Sequence, residues 1–285
     1  MNIGLVLSGG MAKGAYQIGV LKALNACIPP HEIKYISCAS VGVLNGYAYA
    51  TGALDHAEEM WKHLCEGSDT RYFITQILRS SMLQQDISRL YDAERRISAS
   101  SFYCALLDFN HRNIVYKDLS AVDHDKIPLY LKASVAMPVY NRSVTVDGTS
   151  YFDGAMIDNI PVYPLLKHHL DYIICVYFDD KSYKFEDTYF ANKVIKITFP
   201  GNSVLKQSVS FSRAGIEDMI RAGYDRTKEI LGTVLAEGYD NTSYICRKIE
   251  EINRNTRNPC LRITGDVMVA NLNKITQKLT KRKIL

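Results

Sequence analysis

At 285 residues the chain is long enough for one large domain or two small ones, and such a length buries roughly 75 % of the surface that the unfolded chain exposes. A composition of 47 % hydrophobic and 22 % charged residues is that of a globular protein, and 34 Lys and Arg against 30 Asp and Glu leave a formal charge of +4, too small to argue for nucleic acid. Seven cysteines (Cys27, Cys38, Cys65, Cys104, Cys175, Cys246 and Cys260) are scattered without a CxxC pair, which reads as reduced thiols in a cytoplasmic chain. The start, Met1 to Leu7, has no basic stretch and no long apolar core, so it reads as a first strand and not as a signal peptide. No stretch has the length and apolarity of a membrane span.

Ile3 to Leu7 is a short apolar run, the pattern of a buried parallel strand. It ends in Ser8-Gly9-Gly10-Met11-Ala12-Lys13-Gly14, and a helix with Ile18, Leu21, Leu24 and Ile28 on one side follows, stopping at Pro29-Pro30. Convergent N–H groups and a helix dipole suit such a loop to an anion, either a phosphate or an oxyanion. A phosphate loop needs Lys-Ser/Thr after its last glycine, but Gly14-Ala15 follows Lys13. A dinucleotide fingerprint fails at Met11, where its second glycine belongs. A tight turn that merely packs helix on sheet is the plainer reading of the same glycines.

Tyr35 to Ala39 reads as a second buried strand, broken by Ser40 and followed by a helix from Val43 to Ala50. A serine at such a strand-to-helix turn is pushed out at the helix N-terminus, as in a nucleophile elbow. Gly42 fits the elbow pattern and Cys38 departs from it. A helix over Ala53 to Cys65 is expected to bury Met60, Trp61 and Leu64, and the apolar stretch from Thr70 to Leu90 reads as a helical cap or a packed helix pair. Ser101 to Phe109 and Ile114 to Tyr116 read as a hairpin across Asn110-His111-Arg112-Asn113. Leu129 to Ala136 is a short helix. Val144 to Val146 and Tyr151-Phe152 form a second hairpin around Asp147-Gly148. Asp153-Gly154-Ala155 follows directly, then a helix over Val162 to His169 and strands over Tyr172 to Phe178 and Val194 to Phe199. Phe211 to Glu237 is a long amphipathic helix, and a shorter helix lies around Ile245 to Ile252. The tail from Lys274 to Leu285 interleaves Lys and Arg with Ile and Leu, the pattern of a solvated terminal helix or of a membrane-surface segment.

Four ordered blocks, Leu7 to Ala15, Cys38 to Gly42, Ala133 to Pro138 and Tyr151 to Ala155, make the chain resemble the patatin-like phospholipases over roughly residues 1–180. The resemblance implies a three-layer α/β/α sandwich with a mostly parallel central sheet. It implies a catalytic domain over 1–240, with 241–285 as a helical extension packed on it. The implied activity is lipid acyl-ester hydrolysis of the phospholipase A or lysophospholipase kind, through an acyl-enzyme and a Ser-Asp dyad. It carries the nucleophile to Ser40, the general base to Asp153, and the oxyanion donors to the N–H groups of Gly9, Gly10 and Met11. Lys13, Gly14, Cys38, Gly42, Gly154 and Ala155 complete the motifs, with Met11, Cys38 and Ala155 standing where the family has glycine. A backbone N–H survives at Met11, since only proline deletes it. Strand alternation turns the Cys38 thiol away from the pocket. The implied partners are lipid substrate and, peripherally, a membrane surface. No cofactor is called for, and neither HExxH nor a Ca²⁺-type oxygen cluster is present.

Two other readings stand beside it. A Ser-Asp-His triad is available in order through His168 or His169, although an elbow after only the second strand fits that fold poorly. A lipid-binding or scaffold protein with the same fold and little turnover is the second.

Overall fold

Every residue of Ile3–Leu7 is buried, and the run forms strand β1, covered on both faces. Helix α1 (Gly14–Cys27) ends before Pro29, and the chain returns as β2 (Ile33–Ala39), which passes through Ser40 into α2 (Val41–Ala50). Then come α3 (Leu54–His63), α4 (Ser81–Leu90), and the hairpin of β3 (Ser101–Asp108) and β4 (Asn113–Asp118). Helix α5 (Ile127–Ala133) precedes the hairpin of β5 (Val144–Val146) and β6 (Thr149–Asp153). That hairpin turns through Asp147 and Gly148 at φ 48° and 79°, the left-handed pair of a type I′ turn. The remainder is β7 (Tyr172–Tyr177), β8 (Tyr183–Phe185), α6 (Thr188–Ala191), β9 (Val194–Thr198), α7 (Arg213–Val234), α8 (Thr242–Asn255) and β10 (Cys260–Arg262). This computed structural model describes residues 1–64, 81–138, 141–179, 181–199 and 212–263. Cys65, the first part of the expected cap and the tail from Lys274 lie outside the described residues.

The fold is α/β with a mostly parallel central sheet in the order β5-β6-β3-β2-β1-β7-β9, and β4 is also paired to β3. β1, β2, β3, β7 and β9 run parallel, β4 and β6 run antiparallel to β3, and β5 runs antiparallel to β6. Alternate strand residues feed two cores. Leu5, Leu7, Ile36, Ile174 and Val176 meet α1, α2 and α7 on one face, and Val6, Ile173, Cys175 and Tyr177 meet Leu165, Leu170, Phe185 and Phe190 on the other. Among the described residues the first layer is built of long helices and the second of short turns. In the second layer the expected helix over Val162 to His169 is replaced by a single 3-10 turn, Tyr163–Leu165. Leu165 and Leu170 both dock beside Gly4, and a five-residue separation does not put two side chains on one face of an α-helix.

Helices α1 and α7 touch backbone to backbone. A Cβ on Gly19 would lie 1.8 Å from the Ile220 carbonyl oxygen, and one on Gly223 would lie 2.1 Å from that of Tyr16. α1 is consequently buried nearly all round, between sheet and α7, and stays apolar on both sides. Ile245 and Ile249 of α8 enter the same core. Arg262 of β10 reaches the fully buried Asp158 at 3.0 Å, so the C-terminal ribbon β8–β10 is tied to the segment that follows β6. Among the described residues no helix is long and apolar enough to cross a membrane.

The helix crossing separates two glycines of α7. Gly223→Ala is expected to destabilise the fold by about 1–3 kcal/mol, since backbone cannot move aside cheaply. Gly232→Ala, where the new Cβ meets nothing within 4 Å, is expected to stabilise it by about 0.5–1 kcal/mol. Urea unfolding of both variants checks the opposite signs.

Candidate active site

Strand register assembles the site. β2 runs beside β3 as far as Ala39, which is paired with Ala105. β3 continues, and beyond the end of β2 its neighbour is β6, with Asp153 opposite Leu106, Phe152 opposite Leu107 and Tyr151 opposite Asp108. The residue after Ala39 is Ser40, so Ser40 leaves the sheet at the level where Asp153 arrives. The Ser40 hydroxyl faces the Asp153 carboxyl closely enough to favour its charged form.

Ser40 holds φ 53° and ψ −136°, a strained conformation for a residue with a side chain, costing on the order of 1–3 kcal/mol. It occupies the N-cap of α2, yet its side chain makes no cap hydrogen bond. The hydroxyl is thus left to the carboxylate. Gly42 makes this sharp turn possible, because a Cβ there would lie 2.6 Å from the Leu7 carbonyl oxygen. The elbow is thereby pressed against the end of β1, where the glycine loop begins.

Asp153 is 2 % exposed. Its backbone N–H donates to the Ala136 carbonyl at 2.8 Å, and its Oδ1 accepts the Ala155 N–H at 2.9 Å. Burial pushes the carboxyl up from 3.8 to about 7, and the hydrogen bonds from Ser40 and Ala155 pull it partly back. A base of that strength is matched to proton transfer near neutral pH. Gly154 lies against the β3 backbone, where a Cβ would come 2.6 Å from Ala105, while the side chain of Ala155 fits in half-buried space beside Gly9.

The glycine loop stands over the serine. A Cβ on Gly9 would lie 2.8 Å from the Ser40 Cβ. Lys13 closes the loop by donating its N–H to the Gly10 carbonyl at 3.0 Å, and Asn159 Nδ2 holds the Gly9 carbonyl at 3.3 Å. Among the described residues no carbonyl takes the N–H groups of Gly9, Gly10 or Met11. Three unpaired donors next to a serine are what an oxyanion requires. Met11 adopts φ 50°, the left-handed region that glycine enters freely, and its side chain is 37 % exposed on the rim.

A buried amide chain fixes the loop to the helices. Trp61 Nε1 donates to Asn45 Oδ1 at 2.9 Å. Asn45 Nδ2 donates to Gln17 Oε1 at 2.8 Å and to the Gly14 carbonyl at 2.9 Å. Gln17 Nε2 donates to the Ser8 carbonyl at 2.7 Å. In the sequence Trp61 reads as core, and Gln17, Asn45 and Asn159 belong to no motif. The signal available was an amide among the apolar residues of each of two helices, Gln17 in α1 and Asn45 in α2, which has to find a partner when buried.

The other candidates lie elsewhere. Cys38 is fully buried under α2, where a Cβ on Gly46 would meet its sulfur at 2.6 Å, and burial pushes its thiol well above the ordinary value. His168 stacks on Tyr35 at 4.0 Å between ring centroids and meets the Tyr103 hydroxyl at 2.9 Å. Tyr35 precedes Ser40 by five residues of β2, about 17 Å. The backbone carbonyl of His169 accepts from Asn2, next to the N-terminal end of β1. Both histidines therefore sit at the far end of the sheet, and among the described residues no histidine touches Asp153.

Comparisons with known proteins identify the family. Residues 5–166 match the family model for patatin-like phospholipase. The chain is 26 % identical over 174 residues to lysophospholipase nte1 of Aspergillus terreus, covering 56 % of this chain and 11 % of that protein. It is 28 % identical over 180 residues to an uncharacterized NTE family protein of Mycobacterium tuberculosis, covering 61 % and 48 %. The chain thus spans under half the length of these relatives. Among solved structures, VipD from Legionella pneumophila superposes with a TM-score of 0.49 at 13 % identity, over 80 % of this chain and 66 % of that one. The type III effector ExoU gives 0.33 at 14 % identity, over 88 % and 62 %.

The buried carboxyl makes a stability prediction. The native state keeps the Asp153 proton up to about pH 7, whereas the unfolded chain releases it near 4. The native state therefore binds more protons across that window, and its stability falls as pH rises through it. Asp153→Asn removes the charge, so its Tm is expected to exceed that of wild type at pH 8 and to approach it at pH 4. Calorimetric melts at the two pH values check this, and an equal difference at both contradicts the shift.

Proposed function

The chain belongs to the patatin-like phospholipase family, and from that premise we propose that it hydrolyses fatty-acyl esters of lipids, with Ser40 as nucleophile and Asp153 as general base. The observation that carries the reading is the pairing of Ser40, strained at the head of α2, with the buried carboxyl of Asp153.

In the first step Asp153 takes the Ser40 proton as Oγ attacks the ester carbonyl. Negative charge moves onto the carbonyl oxygen, which is received by the N–H groups of Gly9, Gly10 and Met11. One such donor is worth about 10²–10³ in rate. Collapse of the tetrahedral intermediate breaks the ester C–O bond, and the leaving alcohol takes the proton back from Asp153. Water, deprotonated by Asp153, then attacks the acyl-enzyme. The fatty acid leaves and Ser40 regains its proton. Proton transfer through the carboxylate contributes about 10²–10⁴.

The carboxylate takes the place that histidine fills in a triad. Its charged form is costly in a dry site, and this drives it to accept a proton when the hydroxyl is offered. Exposed Met11 and Met156 flank the loop and the Asp153 turn, and they give an acyl chain or a lipid surface something apolar to meet. A phospholipid or lysophospholipid is the substrate class in this reading, supported by the family and by the lysophospholipase among the relatives.

Fatty-acid release from phosphatidylcholine and lysophosphatidylcholine vesicles, beside a short nitrophenyl ester, tests the assignment. Ser40→Ala and Asp153→Ala are expected to lose about 10³-fold or more in kcat with the fold intact. His168→Ala with His169→Ala is expected to retain turnover, and its collapse would restore the triad. A second expectation is that kcat/KM rises with pH through about 7, as the carboxyl of the free enzyme loses its proton. A profile flat from pH 5 to 8 contradicts Asp153 as base. No release by wild type from any of the three substrates removes the hydrolase reading and leaves a lipid-binding one.

A further inference from the structure

A cleft lies at the free edge of the sheet, between β9, α7 and α8. It encloses about 390 Å³, within the usual range for small-molecule sites. β9 lies three strands from β2 in the sheet, a separation of about 14 Å. The cleft is therefore separate from the serine, and nothing in the hydrolytic mechanism uses it.

Its chemistry is that of a site short of acceptors. Lys196 projects from the middle of the edge strand and is half-buried. Its Nζ donates to Asn253 Oδ1 at 2.8 Å, a neutral partner, and among the described residues no carboxylate pairs with it. Burial pulls the ammonium below the usual lysine range. Two more cations, Lys181 and Arg226, line the same cleft. The two carboxylates in the wall are already engaged. Glu229 holds Arg226 NH1 at 2.7 Å, and Asp179 accepts the Tyr183 hydroxyl and the Lys181 N–H.

A second observation is independent of the charges. Tyr177, on the wall, is 0 % exposed, and its hydroxyl completes no hydrogen bond, although the Tyr183 N–H approaches it. Arg226 Nε is buried and also without a partner. Native structures seldom leave such donors unsatisfied, and each is expensive unless something accepts from it. Three cations set against two engaged carboxylates leave the cleft cationic, and Lys196, held only by a neutral amide, suits a compact anion. A phosphate dianion has that shape and charge, and a carboxylate has fewer oxygens and half the charge.

We propose that the cleft between β9, α7 and α8 binds a phosphate monoester, with Lys196 as its central cation and Lys181 and Arg226 as further donors. An inward lysine on an edge strand also blocks strand-to-strand association, and that role alone predicts no phosphate binding.

Calorimetric titration with inorganic phosphate and with glycerol 3-phosphate tests a soluble source. Flotation of Ser40→Ala protein with phosphatidylcholine vesicles, with and without phosphatidic acid, tests a lipid headgroup. Binding in either arm is expected, weakened about tenfold or more by Lys196→Met and kept by Lys196→Arg, while turnover of the nitrophenyl ester by Lys196→Met stays unchanged. If Lys196→Met fails to fold by circular dichroism, Arg226→Gln and Lys181→Ser carry the same test, each with a several-fold loss. Absence of binding in both arms overturns the proposal. So does binding that these substitutions leave unchanged, since the phosphate then sits elsewhere.

Discussion

The pairing of Ser40 with Asp153 forms in a corner with little access to water, and it exists because β3 outruns β2 by three residues. Those three residues, Leu106 to Asp108, carry β6 on the side that β2 has vacated. A one-residue slip in either pairing would turn Asp153 to the other face of the sheet. The tight hairpin at Asp147 and Gly148 fixes the register of β6 against β5, and the Ala136 carbonyl fixes the end of β6 through the Asp153 N–H. The separation of serine and carboxylate is thus a property of the sheet, which is stiff, and not of two loops.

The site holds several unfavourable features together. A non-glycine residue turns at positive φ at Ser40 and again at Met11, a carboxyl is buried at Asp153, and the backbone donors from Gly9 to Met11 meet no carbonyl among the described residues. The surrounding core supports them. α1 and α2 are almost wholly buried, and each amide of the Trp61–Asn45–Gln17–Ser8 chain is held by another, so the loop cannot relax without leaving buried polar groups unmet. The departures from the family motif are absorbed locally. The Cys38 sulfur fills the space left by Gly46, and the Met11 side chain points to the rim while its N–H stays in the loop.

Much of the fold is legible in the residues alone. β1, β2, β3 and β7 are apolar runs, Asp147-Gly148 announces its hairpin, and the glycine loop and elbow follow the first two strands in order. Position was harder to read. Val162 to His169 has helical composition, but Leu165 and Leu170 both dock beside Gly4 while His168 stacks on Tyr35, and tertiary contact overrides propensity there. β8 and β10 are three residues each and carry no pattern long enough to read, so the ribbon and its Arg262–Asp158 pair came only with the structure. Ser40 and Asp153 are visible as motifs, but their meeting is not, because it depends on which strand ends first along β3. The amides of Gln17 and Asn45 look incidental until both are seen to be buried.

The account stands or falls on one activated serine. Wild-type protein would be treated with an active-site fluorophosphonate, and the adduct located by peptide mass and followed in rate from pH 5 to 9. The account predicts a single adduct on Ser40, formed faster as pH rises through about 7 and lost in Asp153→Asn. An adduct on another residue, or equal labelling of Ser40 with Asp153 replaced, would contradict it.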